Sequence, residues 1–215
     1  MHLYEFATHR ELDAAWELLC ADERARAGCI VDPQRSARFV SRRATLREIL
    51  APYAGRPAAA VDLTRAGVCF SCSHSGETAA VAVAPRPVGV DIQVEVAGRS
   101  VDRIAARMFA WDEQRVLEAV DGNLRSHLFH RCWVAKEAYA KGRGRGLGMR
   151  FDEFSVAAAL CSPGETGIVR DPWGTGELWT VALTSVGDRH LAVAATGSDW
   201  KPEWRAVPHR EATVG

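Results

Sequence analysis

Thr78-Ala-Ala-Val-Ala-Val-Ala84-Pro85-Arg86-Pro87-Val88-Gly89-Val90-Asp91-Ile92-Gln93 reads as two apolar strands separated by a proline-bounded break. In the second, Asp91 and Gln93 alternate with Val90 and Ile92, so both polar side chains project from one face while the aliphatics enter a core. A third run, Val68 to Ser73, precedes them across Ser75-Gly76. Upstream, Asp32-Pro33 supplies an N-cap and a first-turn proline, and Phe39, Leu46, Leu50 and Tyr53 mark the apolar stripe of a long helix ended by Pro52 and Gly55. A short strand, Leu3 to Phe6, and a helix carrying Leu12, Trp16 and Leu19 open the chain.

The second half repeats that order. Helices Val101 to Phe109, Asp112 to Val120 and Asn123 to Lys141 lead into strand candidates Phe154 to Leu160, Leu178 to Ser185 and His190 to Ala195. His190-Leu-Ala-Val-Ala-Ala-Thr196 echoes Thr78 to Ala84 in composition and in its place after a turn. The tail after Asp199, with Pro202 and Pro208, reads as poorly ordered.

The 215 residues carry 27 Lys+Arg against 27 Asp+Glu and are 47% hydrophobic, which excludes disordered and fibrous classes and argues against a dedicated nucleic-acid binder. No apolar run approaches the roughly 18 residues that a membrane span needs, and the first ten residues lack a secretory core, so the expectation is a cytoplasmic protein. Six scattered cysteines fit reduced thiols. The close pair, Cys69 and Cys72, is expected as small buried hydrophobes rather than a metal or redox site.

Charge is local. Arg131 to Arg150 holds six cations against Glu137, a net of +5, while Phe151 to Asp199 nets −5, a pattern that suits a phosphorylated small molecule better than a long polyanion. Lysine is rare, three against 24 arginines, yet two stand at Lys136 and Lys141. Trp133, Glu137 and Lys141 share one helix face, with Lys136 about a quarter turn away. The basic glycine-rich loop Gly142 to Gly148 follows and allows close backbone approach to an anion. Carboxylates gathered from the Asp91 strand and the Glu137 helix would make a hard-cation site, Mg²⁺ when phosphates are present. Ser71-Cys-Ser73-His74-Ser75-Gly76 reads as a phosphate contact, since no G-x-S-x-G elbow accompanies it. Arg43 lies on the apolar stripe of its helix and needs a partner or a ligand. His127 and His130, three apart on a helix, lack a third ligand nearby in sequence and read as structural.

Phe70-Ser-Cys-Ser73-His74-Ser, Gly89-Val-Asp91-Ile-Gln93, Phe109-x3-Glu113 and Trp133-Val-Ala-Lys136-Glu137-Ala-x2-Lys141-x2-Gly144-x-Gly146-Leu147, in this order, resemble the 4'-phosphopantetheinyl transferases of the surfactin-synthetase-activating (Sfp-like) group. The resemblance covers most of the chain and implies an α+β fold of two similar halves with the active site in the cleft between them. The halves would be residues 1–97 and 98–198, followed by a tail, 199–215. It implies Mg²⁺-dependent transfer of phosphopantetheine from coenzyme A to a serine of an apo acyl or peptidyl carrier protein by a monomer, with 3',5'-ADP released. A catalytically silent homologue that binds coenzyme A or carrier proteins is the alternative.

By the same resemblance, Asp91, Gln93 and Glu137 match the metal ligands, and Glu137, Lys141 and His74 the catalytic groups. Arg43, Ser73, His74, Lys136 and Lys141 match the coenzyme A contacts. Two departures stand out. Gln93 occupies a position where many relatives carry Glu, and the G-K-P run that usually precedes the S-H-S loop is missing, Gly55-Arg56-Pro57 lying too early.

Overall fold

The computed structural model describes residues 1–95, 101–145, 148–161, 166–171 and 176–208. Strand β1 (His2–Ala7) is followed by short helices α1 (Leu12–Glu17) and α2 (Ala21–Gly28) and by the long helix α3 (Pro33–Ala54). Asp32 caps α3 as expected, its carboxylate accepting from the Gln34 and Arg35 amides, and Gly55 closes it in the left-handed conformation. A cap of this kind is worth about 1 kcal/mol. Strands β2 (Cys69–Ser75), β3 (Thr78–Ala84) and β4 (Val88–Val94) come next. Helices α4 (Val101–Met108), α5 (Trp111–Glu118) and α6 (Gly122–Gly142) lead to the short α7 (Ala157–Leu160) and to strands β5 (Thr166–Ile168), β6 (Trp179–Val186), β7 (Arg189–Thr196) and β8 (Glu203–Trp204).

The strands form two four-stranded sheets of order β2-β3-β1-β8 and β4-β7-β6-β5. The fold is therefore α+β. Each half contributes a long helix and a hairpin, β2-β3 after α3 and β6-β7 after α6, and then sends a strand into the other sheet. β4 pairs antiparallel with β7, and β8 pairs parallel with β1. The two Ala/Val segments that echo each other are β3 and β7, each flanked by strands on both sides. Alternate residues of both serve two cores. Ala80, Ala82 and Ala84 meet Leu191, Val193 and Ala195 between the sheets. Val81 and Val83 face Leu46 and Ile49 of α3, while Ala192 and Ala194 face Ala135 and Ala138 of α6. The order of layers is helix, sheet, sheet, helix.

Three expectations need correction. Phe154 to Leu160 is not a strand: Ser155 makes only an isolated bridge to Arg170 and Ala157–Leu160 is α7, since a short apolar run fits a buried helix as well as a strand. The chain after Asp199 does not float, because β8 lies beside β1, with the Glu203 amide on the Met1 carbonyl and the Arg205 amide on that of Leu3; residues 209–215 lie outside the described residues. Cys69 and Cys72 are exposed rather than buried, because β2 is a sheet edge. Among the described residues no helix is long and apolar enough to cross a membrane.

Candidate active site

Helix α6 crosses β4 at two glycines. A Cβ on Gly89 would overlap the Ala138 carbonyl oxygen and the Gly142 amide, and one on Gly142 would strike the Trp179 ring. This close approach lowers the last turns of α6, with Glu137 and Lys141, onto the face of β4 that carries Asp91 and Gln93. The facing edges of the two sheets are joined by the hydroxyls of β2. In an antiparallel edge strand, alternate backbone amides point away from the sheet and need a partner. The Val90 and Val94 amides of β4 find one in Ser71 Oγ (3.1 Å) and Ser75 Oγ (3.0 Å). Between them, Ser73 Oγ donates to Asp91 Oδ1 at 2.6 Å.

Asp91 is only 6% exposed. Burial pushes its pKa up, opposed by the Lys141 ammonium and by the hydrogen bonds from Lys141 and Ser73. Lys141 Nζ donates to Asp91 Oδ1 at 2.6 Å, and its side chain remains 29% exposed. Glu137, half-buried one turn before Lys141, accepts no hydrogen bond among the described residues. Its pKa is pushed up by burial and then by the negative charge of Asp91, with Lys141 opposing. Gln93 makes one long contact, Nε2 to the Val94 carbonyl at 3.5 Å. Two carboxylates thus share one lysine, and the arrangement calls for more positive charge.

The remaining site candidates divide. His74 projects from the face of β2 opposite Ser73, so one strand sends the two to different surroundings. Partial desolvation, and then the positive charges of Arg42 and Lys141, hold the His74 pKa down. Sequence reasoning missed Arg42, although it adjoins Arg43, because helical periodicity made Arg43 the residue needing an explanation. Arg43 has its partner: Nε donates to Glu23 Oε1 at 2.6 Å, beside the Arg47–Glu23 bond at 2.7 Å. Both arginines line a pocket of about 500 Å³ where α2 meets α3, and among the described residues its lining does not include Asp91. Lys136 does not reach a ligand surface at all. It is fully buried, with Nζ on Glu113 Oε1 (2.7 Å), Glu113 Oε2 (2.6 Å) and the Phe154 carbonyl (2.7 Å), which uses all three of its donors. The quarter turn between Lys136 and Glu137 points one lysine into the core and leaves the glutamate in the cleft.

Beside Lys141, an open groove of about 670 Å³ runs between the loop 63–69, Phe70 of β2, and Pro87 and Val88 at the start of β4. The exposed Arg65 stands in that loop, in the region where the G-K-P run is missing. Gly146 and Leu147 of the basic loop lie outside the described residues.

A sequence model described as the 4'-phosphopantetheinyl transferase superfamily matches residues 87–194, half of the chain and the stretch that bears Asp91, Glu113, Glu137 and Lys141. The chain belongs to that superfamily. This transferase is 27% identical over 202 residues to 4'-phosphopantetheinyl transferase HetI of Nostoc sp., an alignment covering 86% of this chain and 82% of the relative. It is 36% identical over 87 residues to 4'-phosphopantetheinyl transferase Sfp of Bacillus subtilis, covering 40% of this chain and 38% of the relative. Among solved structures, a holo-(acyl-carrier-protein) synthase from Bacillus anthracis in complex with CoA (3',5'-ADP) aligns with a TM-score of 0.45 and 19% identity. That alignment covers 51% of this chain and 94% of the other.

Proposed function

We propose that this transferase moves the 4'-phosphopantetheine arm of coenzyme A onto a serine hydroxyl of an apo acyl or peptidyl carrier protein, with Mg²⁺ as cofactor and 3',5'-ADP as the leaving group. The observation that carries this reading is the convergence of Asp91, Glu137 and Lys141 at the α6–β4 crossing. The donor set suits Mg²⁺: a hard cation takes oxygen ligands, and the Glu137 carboxylate stands unbonded beside a second buried carboxylate whose charge raises its pKa. Asp91, Glu137 and the amide oxygen of Gln93 would hold the ion. Bound there, it would stabilise negative charge developing on phosphoryl oxygens.

The chain's own groups supply the rest. Lys141 has donors left after its bond to Asp91, and it holds the pyrophosphate of coenzyme A by charge. His74, beside Arg42 and Lys141, meets further phosphate oxygens. Ser73 fixes the Asp91 carboxylate through Oδ1 and so acts as a positioning residue. The groove between the 63–69 loop and Val88 opens beside Lys141 and is the candidate seat for the thiol arm. Glu137 takes the proton from the carrier serine, directly or through water. The serine oxygen bonds to the β-phosphorus as the bond from that phosphorus to the bridging oxygen breaks, and 3',5'-ADP departs with the electron pair.

Incubating apo acyl and peptidyl carrier proteins with the transferase, coenzyme A and Mg²⁺, and measuring intact carrier mass, tests the reading. A gain of one phosphopantetheine that disappears with EDTA is expected. No gain on any carrier, with coenzyme A binding intact by calorimetry, would overturn it in favour of a silent binding protein.

A further inference from the structure

A second polar cluster lies on the same face of β4 at the opposite end of the strand. Glu95 follows β4 directly and, two residues past Gln93, stays on that face. His190 of β7 is the register partner of Gln93 and is fully buried, with Nε2 2.8 Å from Glu95 Oε1. From α6, His127 brings Nδ1 to 3.5 Å from the same oxygen. One ligand atom from each of the three lies within 4.8 Å of the other two. Four strand residues separate Glu95 from Asp91 by roughly 13 Å, so the cluster is distinct from the carboxylates at the glycine crossing.

His130 packs beside this cluster without joining it. Its Nδ1 lies 2.9 Å from the Ser126 carbonyl oxygen, which can only accept, so Nδ1 carries the proton and Nε2 is the bare nitrogen. Among the described residues that Nε2 is buried without a partner, and the ring stacks on His190 with centroids 5.8 Å apart. The chemistry of metal ligation lies in the three atoms that do converge, two imidazole nitrogens and one carboxylate oxygen. His190 also has the outer hydrogen bond that orients a ligating imidazole: Nδ1 meets Ser185 Oγ at 2.9 Å, and Arg131 holds that hydroxyl.

We propose that Glu95, His127 and His190 bind a divalent transition-metal ion of the zinc type, which pins α6 to the ends of β4 and β7. Two imidazole nitrogens with one carboxylate match zinc and disfavour Mg²⁺, which prefers oxygen. Tetrahedral zinc spaces its ligand atoms about 3.4 Å apart. The His127–Glu95 pair, at 3.5 Å, is already near that spacing, and the His190–Glu95 hydrogen bond at 2.8 Å opens as the ion takes the place of its proton. The ion would clamp the opposite end of the helix that delivers Glu137 and Lys141. The site is independent of the proposed reaction.

The test uses the full chain stripped of metal, dialysed against Zn²⁺ near neutral pH and assayed for bound metal, with Co²⁺ as a spectroscopic substitute. One zinc per chain is expected in the wild type and in Glu137→Gln, with binding at least about tenfold weaker in His127→Ala and in Glu95→Gln. His127 is the safer variant because His190 is buried, and near-ultraviolet circular dichroism verifies that each variant folds. The Co²⁺ form should show visible d–d bands without a thiolate charge-transfer band. Absence of bound zinc in the wild type, unchanged binding in both cluster variants, loss only in Glu137→Gln, or a thiolate band from the exposed cysteines would each overturn the assignment.

Discussion

Helix α6 carries two lysines five residues apart, each bonded to a carboxylate, and the two pairs are opposites. Lys136 and Glu113 are fully buried and complete: all three ammonium donors are used, and Glu113 also accepts from the Val156 and Ala110 amides at 2.7 and 2.8 Å. Lys141 and Asp91 are incomplete. Among the described residues, Lys141 is part-exposed with a single bond and the neighbouring Glu137 has none. Burial raises the pKa of Glu113 and of Asp91 alike, so desolvation does not separate the pairs. Spare bonding capacity does. A saturated pair holds helices α5 and α6 together, whereas an unsaturated one can receive a ligand.

The contrast breaks most visibly at Glu113. Glu113→Gln leaves the Lys136 ammonium buried without its counter-charge and should cost about 3–5 kcal/mol, read as a lowered urea midpoint. Equal stability in that variant would mean that the pair is not structural. Glu137→Gln is its mirror image: turnover on a carrier protein should fall on the order of 10²–10⁴-fold, while the urea midpoint changes little because no protein bond is lost. Unchanged turnover would remove Glu137 as the base. Gly89→Ala sharpens the comparison by moving the helix rather than a charge. The added methyl pushes α6 from β4, and a displacement of about 1 Å at the site should lower kcat by roughly 10²-fold.

Smaller effects test the supports. Ser73→Ala removes one donor from Asp91 and should lower stability by about 1 kcal/mol. Glu23 offers a third ion pair for comparison. Burial raises its pKa, but the Cys20 amide, Arg47 and Arg43 outweigh that and leave it below the ordinary glutamate value. A depressed carboxylate pKa adds stability above the unfolded-state value, about 4.3, and loses it as pH falls through the lower folded value. Glu23→Gln should therefore be less stable than wild type at pH 7, and the gap should narrow in acid unfolding below about pH 4.3. A gap that persists unchanged to pH 2 would show that the glutamate charge is not its source.

Caps and periodicity were legible because they are local. Asp32 and Gly55 bracket α3 as expected, and the alternation of Val90, Asp91, Ile92 and Gln93 predicts the face of β4 that meets α6. Spacing also places Glu137 and Lys141 on one side of their helix. Depth was not legible. Periodicity tells which way Lys136 points but not that Glu113, 23 residues earlier, closes over it, nor that Glu23, 20 residues before Arg43, satisfies that arginine. Phe154 to Leu160 failed for a related reason, since a short apolar run does not declare its period.

His127 and His130 show where that limit falls. Their spacing on α6 is written in the chain, as are the motifs that place this transferase in its superfamily. Whether the two histidines have company depends on Glu95, 32 residues before His127, and His190, 63 after it. Those residues arrive only when β4 pairs with β7 and α6 packs across both. Side-chain period and capping are properties of neighbouring residues and survive in a linear reading. Ligand sets and ion-pair partners are closed by contacts between distant strands and helices, and packing alone brings those together.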